Sequence, residues 1–443
     1  MNYLCQMVFP KTNQATILKN LGFSTLNSMQ ETAIATTSSK PNTLLLAPTG
    51  SGKTVAYLLS VLPKIASKSG VQVLILAPTR ELVLQIENVL KLMKTNFKVN
   101  ACYGGHPFGV ERKNFSTPPT LLVGTPGRIE DHIRRKTFDP TGITQLVFDE
   151  FDKSLEFGFS KQMESIVKEI PKPKGRLFVS ATKAIEIPDY LKTHDLHTLD
   201  FLKEKEGTLT ISQHVTPIDE KVAGLLELLT SLGSKKNTIV FCNHREACDR
   251  ICDHLDDKEL IYSIFHGGLE QAQRELELLK FRNGSSQILI ATDIAARGID
   301  IPELDCVIHY QMPREEATFT HRNGRTARMK SSGMSILIRT TTETLPSYID
   351  EVPMFKISPN ETLTDPEWRT FYIGKGKKDK VNKMDLVGFF LQFDFLSKTD
   401  LGLIEVKDFS SYIAIKRNKS KRVLKAVQGL KIKKKKTKIA FAK

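Results

Sequence analysis

The sequence predicts an α/β protein built on parallel sheets, and three features carry that expectation. Short, continuous apolar runs alternate with helical segments over residues 1–345. Each run ends in a polar cluster. Beyond residue 371 the pattern changes to short strands and turns crowded with lysines. Apolar strands separated by helices imply sheets covered on both faces. In such sheets ligands gather at the carboxyl ends of the strands.

In chain order the first strands are TLLLAP (43–48), VQVLILAP (71–78), TLLVGTP (120–126), TQLVFDE (144–150) and RLFVSAT (176–182). A second series follows with NTIVFC (237–242), QILIAT (287–292), CVIHY (306–310) and MSILIRT (334–340). Between the series, KEKEGTLTISQH (203–214) is polar and has no helical period, as a linker or an extended crossing would. Residues 341–370 carry Pro346, Pro353, Pro359 and Pro366 and read as irregular. The expected division is therefore 1–205, 206–345, a linker 346–370, and a small domain 371–443.

Charge is unevenly spread. Residues 371–443 hold 20 Lys and Arg against 6 Asp and Glu, a net +14 of the chain's +15. Such a segment on a charge-balanced body is the footprint of a polyanion-binding element. No apolar stretch approaches the ~20 residues needed to cross a bilayer, and the N-terminus lacks the plan of a signal peptide. The expectation is a soluble cytoplasmic protein with no membrane partner. The six cysteines form no paired framework. Cys242, His244, Cys248, Cys252 and His254 cluster, but lack the two compact pairs of a zinc site; they read as a strand end and an amphipathic helix without zinc.

Residues 47–54, APTGSGKT, follow a strand and precede the helical VAYLLSVL. That context makes a phosphate loop. Gly50 and Gly52 let the amides curl round a phosphate, Lys53 reaches it, and the Thr54 hydroxyl ligates Mg²⁺. The generic motif starts with Gly; here Ala47 stands first. In TQLVFDEFDKSLEFGF (144–159), Asp149 ends a strand and is the second candidate Mg²⁺ ligand. Glu150 is placed to orient and deprotonate the attacking water. Phe151, a bulky ring among acids, is unexpected in a turn.

These residues resemble the DEAD-box RNA helicases, and the resemblance covers nearly the whole chain. The motifs stand in the family's order: AxTGSGKT, PTREL (78–82), GG (104–105), TPGR (125–128), DExD (149–152), SAT (180–182), IVFCN (239–243), HGGLEQAQRE (266–275), ATDIAARGID (291–300) and HRNGRTAR (321–328). The resemblance implies two tandem RecA-like domains of the P-loop NTPase class that close on ATP and RNA. It implies that Ala47, Pro48, Thr49, Gly50, Ser51, Gly52, Lys53 and Thr54 cradle ATP, with Asp300 on the ribose. Gln30 reads the adenine, and Phe9 is a candidate stacking ring. Lys53, Asp149 and Glu150 serve hydrolysis, Arg325 and Arg328 act as arginine fingers, and Ser180 and Thr182 couple hydrolysis to closure. Pro78, Thr79, Arg80, Gly105, Thr125 and Arg128 line RNA on the first domain, and Thr292 and Arg297 on the second. Departures from the pattern are Phe151 for a small residue, Asn323 and Ala327 for Ile and Gly, and Leu26 and Asn27 for Pro and Thr or Ser.

The tail resembles the RNA-binding domain of DbpA-type members of this family, a small α+β module similar to an RRM. The resemblance implies structured ribosomal RNA as partner, in large-subunit assembly, and a monomeric ATP-dependent RNA helicase. Phe371, Tyr372 and Tyr412 read either as base-stacking rings or as core. Alternatives for the whole chain are an ATP-gated RNA clamp or chaperone, a DNA-directed helicase, and an RNA-binding protein without enzymatic activity.

Overall fold

The computed structural model describes residues 13–105, 107–171, 173–183, 186–193, 195–202, 208–234, 236–293, 301, 304–326, 332–359, 361–433 and 435–442. Two compact units form, the first mainly up to Thr208 and the second mainly from Leu209 onward. No described helix is long and apolar enough to cross a membrane.

The first unit is a seven-stranded parallel sheet of β1 (Asn42–Leu46), β2 (Val73–Leu76), β3 (Val99–Cys102), β4 (Leu121–Gly124), β5 (Gln145–Phe148), β6 (Gly175–Ser180) and β7 (His197–Asp200). Their order is β3-β4-β2-β5-β6-β1-β7. The strands β2, β4 and β5 are buried along their whole length, because helices cover both faces. One layer of core holds Tyr57, Leu58, Val83 and Ile86; the other holds Phe148, Phe151, Phe178 and Met163.

The second unit begins with a six-stranded sheet. Its strands are β8 (Thr208–Thr216), β9 (Thr238–Cys242), β10 (Ser263–Phe265), β11 (Ile288–Thr292), β12 (Cys306–His309) and β13 (Ser332–Thr340), in the order β10-β11-β9-β12-β13-β8. Cys242, Cys248 and Cys252 all lie in its hydrophobic core, where burial pushes the Cys252 thiol up to about 12.

The same unit carries a C-terminal four-stranded sheet of β14 (Trp368–Ile373), β15 (Leu401–Val406), β16 (Ser411–Lys416) and β19 (Ile439–Phe441), ordered β15-β16-β14-β19. A small hairpin, β17 (Lys431–Ile432) and β18 (Lys435–Lys436), precedes the last strand. Antiparallel pairing of β14 with β16 sets Thr370 opposite Ala414 and Tyr372 opposite Tyr412. Side chains alternate across a sheet, so Phe371, Ile373, Ile413 and Ile415 fill the module's core while Thr370, Tyr372, Tyr412 and Ala414 share the other face.

That other face docks on the preceding α/β domain. Thr370 Oγ1 accepts a hydrogen bond from Asn283 Nδ2 and donates to Ser285 Oγ, both at 2.8 Å and both buried. Lys407 pairs with Glu275 at 2.6 Å. Gly284 (φ +75°) lets the Trp368 ring approach: a Cβ there would lie 3.0 Å from the indole. The module is thus fastened by a buried polar network, which is specific only when all its members are satisfied.

Candidate active site and nucleic-acid interface

The strand order of the first sheet divides its carboxyl edge. At one half, β6 lies between β1 and β5, so three polar segments meet side by side. After β1 comes the phosphate loop, with Gly50 and Gly52 in the left-handed region at φ +83° and +86°, where only glycine sits without strain. The helix Lys53–Val61 starts directly behind it, turning its unpaired amides toward the loop. Lys53 Nζ donates to Ala47 O at 2.7 Å and Pro48 O at 2.8 Å, and Ser51 Oγ donates to Pro48 O at 2.8 Å. The lysine and the glycines therefore share one short loop.

Gln30 lies on the same loop. Its Nε2 donates to Gly52 O at 3.2 Å, and a Cβ at Gly52 would stand 2.4 Å from that nitrogen. Asn27, a departure from the family pattern, caps the helix Ser28–Ser39 through Gln30 N and also donates to Ser51 O at 3.0 Å. An amide side chain does here what a hydroxyl cap does, and adds a tie to the loop.

After β5 the chain turns sharply. Asp149 is 3% exposed, and its Oδ2 accepts from Tyr57 Oη at 3.0 Å while its Oδ1 accepts from Glu150 N at 3.0 Å. Burial raises the proton affinity of this carboxyl, against the pull of Lys53, Tyr57 and the Glu150 amide. Glu150 itself is in the left-handed region (φ 45°, ψ 52°), a conformation that costs a non-glycine residue about 1–3 kcal/mol and collects at functional sites. Phe151 opens the next helix and is fully buried between Phe148 (5.7 Å) and Phe178 (5.0 Å). The ring is not in a turn: it packs beneath the strand that ends in Ser180, a burial worth about 1.5–3 kcal/mol.

After β6, Ser180 Oγ accepts from Thr182 N at 3.0 Å, and Ser180 O accepts from Ala47 N at 3.1 Å. Thr182 Oγ1 donates to Asp152 Oδ2 at 2.9 Å. The phosphate loop, the acidic turn and the SAT segment are thereby joined within one unit.

The other half of the edge, β3-β4-β2, gathers the segments read as RNA-facing. Thr79 caps the helix Arg80–Met93 through Leu82 N, behind the buried Pro78. Arg80 rests against the glycine doublet: a Cβ at Gly105 (φ +85°) would lie 2.4 Å from Arg80 Nη1. Thr125 N donates to Cys102 O at 3.1 Å and Thr125 is the N-cap of the helix Pro126–Arg134. Arg128 Nε donates to Glu111 Oε2 at 2.7 Å.

In the second unit Thr292 ends β11 opposite Cys242, and Arg325 is buried. The neighbouring Arg322 is fully buried and binds Asp293, Asn243 Oδ1 and Gln311 O. Asn323, the second departure, accepts from Ser335 Oγ at 2.8 Å and from His309 Nε2 at 3.0 Å. A partner on β12 thus compensates for a polar residue where the family has an apolar one. Phe9, Arg297, Asp300, Ala327 and Arg328 lie outside the described residues.

Sequence reasoning missed Tyr57, Glu111 and His132. Tyr57 sits in an apolar helix and reads as core; only a tyrosine in place of a phenylalanine marks it. Glu111 and His132 are 21 residues apart, with no motif linking them.

Comparison with known proteins shows the family. Residues 27–189 match the DEAD/DEAH box helicase family, 220–330 the helicase conserved C-terminal domain, and 370–440 the DbpA RNA binding domain. The chain is 32% identical to the ATP-dependent RNA helicase DbpA of Escherichia coli, covering 97% of both chains. It is 30% identical to the protein of the same name in Bacillus subtilis, covering 95% of this chain and 96% of that one. Among solved structures it resembles Saccharomyces cerevisiae Dbp5 bound to RNA and ADP BeF3, with 26% identity, a TM-score of 0.64, and coverage of 74% of this chain and 88% of that one.

Proposed function

This chain belongs to the DEAD-box family of ATP-dependent RNA helicases, of the DbpA type, and on that premise we propose that it remodels structured ribosomal RNA during large-subunit assembly. It is an ATP-hydrolysing enzyme that acts on RNA. The observation that carries the finer reading is the docked C-terminal module. Single-stranded RNA is read on RRM-type sheets by stacking bases on aromatic rings of the open face. Here the face of Tyr372 and Tyr412 is the one that packs on the preceding domain through Thr370, and Phe371 is core. Lys431, Lys436 and Lys438 are all exposed, and Phe409 stands exposed in the same module. A surface rich in cations, with the face of Tyr372 and Tyr412 turned toward the docked domain, suits the backbone of a folded RNA.

In the catalytic half, Lys53 would exchange its bonds to Ala47 O and Pro48 O for phosphate oxygens, with the amides of residues 50–54 completing the cradle. Gln30, already on the loop, is our candidate adenine reader, and Asp300 our candidate ribose contact. Mg²⁺ fits the donor set: Thr54 and Asp149 offer hard oxygens, and a carboxylate whose burial raises its proton affinity is one that a cation stabilises. When bound, the ion would neutralise charge on the transferred phosphate. Glu150 is proposed to take the proton of the attacking water. Arg325 and Arg328 are proposed to stabilise the charge that develops. Ser180 and Thr182, tied to Ala47 N and Asp152, would register the state of the phosphate site. RNA would lie along Pro78, Thr79, Arg80, Gly105, Thr125, Arg128, Thr292 and Arg297.

Sequencing of RNA crosslinked to the intact protein in cells tests the target. Enrichment of one folded element of large-subunit ribosomal RNA is the expected result; reads spread evenly over messenger RNA would refute it.

A further inference from the structure

Arg128 does not stand alone on the RNA-facing half of the first sheet. Its Nε donates to Glu111 Oε2 at 2.7 Å, and the same oxygen accepts from His132 Nε2 at 2.8 Å. The second oxygen, Oε1, accepts from Tyr103 N at 3.2 Å. Glu111 and His132 are almost wholly buried, at 1% and 0% side-chain exposure, while Arg128 retains 15%. The Phe108 ring stacks on His132 at 4.6 Å and 23°, and the Arg128 guanidinium sits 5.2 Å over the same ring.

We propose that Glu111 and His132 are positioning residues that hold Arg128 in its RNA-binding pose. The inference rests on the reading of Arg128 as an RNA-backbone contact. Its physical content is preorganisation. A free arginine samples many rotamers, and binding must otherwise remove that freedom. Here the guanidinium plane is fixed beforehand by a buried carboxylate, and the carboxylate is fixed by a buried imidazole and a backbone amide. Glu111 comes from the helix Phe108–Asn114, just after the glycine doublet. Arg128 and His132 come from the helix Pro126–Arg134. One carboxylate therefore locks two RNA-facing segments to each other.

Two other readings are weaker. A carboxylate beside an RNA-binding arginine, taken alone, repels phosphate, so a purely electrostatic role would oppose binding. A metal centre is suggested by Cys102, whose sulfur lies with the Glu111 and His132 atoms inside 4.8 Å. Yet Oε2 already accepts two N–H donors, and burial pushes the Cys102 thiol far up, away from the thiolate that a metal needs. The hydrogen bonds from His132, Arg128 and Tyr103 N outweigh the effect of burial on Glu111 and keep its carboxyl below the usual range, as a charged acceptor for Arg128 requires.

The test is RNA-stimulated ATP hydrolysis by the full chain, read as separate half-saturations for RNA and ATP. Glu111→Ala should raise the RNA half-saturation roughly 3–10-fold, the scale of one immobilised long side chain, with the rate at saturating RNA and the ATP half-saturation unchanged. His132→Leu should raise it by a smaller factor, and His132→Gln, which keeps a donor toward Glu111, should restore it. In an Arg128→Ala background these substitutions should add nothing. If Arg128→Ala weakens RNA but Glu111→Ala and His132→Leu leave the half-saturation alone, lower it, or add the same factor in both backgrounds, the positioning role is wrong. If Arg128→Ala itself changes nothing, the RNA-contact reading falls, and the proposal falls with it. Should Glu111→Ala not fold, the His132 pair measured in both backgrounds decides alone.

Discussion

Tyr57 donates a 3.0 Å hydrogen bond to Asp149 across 92 residues of sequence, deep in the first domain. The phenol is completely buried. It therefore holds Asp149, one of the two residues proposed to bind Mg²⁺. Removing one partner of a buried charged acceptor costs more than the bond contributes, about 1–3 kcal/mol. Tyr57→Phe keeps the ring and deletes only the hydroxyl. Urea unfolding should show the first domain destabilised by about that amount, and the Mg²⁺ concentration for half-maximal ATP turnover should rise. A stability change under ~0.5 kcal/mol with an unchanged Mg²⁺ requirement would remove Tyr57 from the site.

Glu150 can be tested with little change of shape. Glu150→Gln keeps the size of the side chain in its left-handed turn and removes the base. ATP binding should persist while turnover falls by ~10²–10⁴, the usual worth of a general base. Near-normal turnover would assign the proton to another group.

The pairing of His309 with Asn323 makes a pH prediction. Burial first, and the Arg322 charge second, push the His309 imidazole down to about 3, against the hydrogen bond to Asn323. Its unfolded value is about 6.5. A depressed pKa contributes stability that is present above the unfolded value and is lost as pH falls toward the folded one. The loss should approach ~1.4 kcal/mol per pH unit between about pH 6 and 4. His309→Gln, which does not titrate, should flatten that part of the stability profile of the second domain. An identical slope in the variant would mean that His309 is not the group responsible.

Salt dependence separates phosphate binding from stacking in the C-terminal module. Replacing the exposed Lys431, Lys436 and Lys438 with glutamine should weaken RNA binding and lower the log–log salt slope by ~0.7–0.9 for each lysine–phosphate pair removed. Tyr372→Leu should leave that slope unchanged. The opposite pattern would return the module to an aromatic binding mode.

Much of this is legible in the sequence, for a physical reason. A phosphate loop, a strand-ending Asp149 and the strand-tip clusters are local arrangements, in which neighbouring residues make the chemistry. Relationships across the fold are not legible. Phe151 looks anomalous among acids because its packing partners, Phe148 and Phe178, become visible as partners only when β5 and β6 pair. Asn323 looks like a defect in its motif until His309 is seen beside it. The acidic Glu111 carries no signal at all, since its meaning depends on two residues of another helix. The docked face of Thr370 is likewise hidden, because strand alternation says which residues share a face but not what covers it.

The central claim is that ATP hydrolysis by the two α/β domains is directed to folded RNA by the C-terminal module. The most direct measurement is strand displacement from a short RNA duplex, made with and without an adjoining folded hairpin from large-subunit ribosomal RNA. Displacement should require ATP and be markedly faster on the hairpin-bearing duplex, and that advantage should vanish when Lys431, Lys436 and Lys438 are all glutamine. Equal rates on the two substrates, or displacement that proceeds without ATP, would contradict the account.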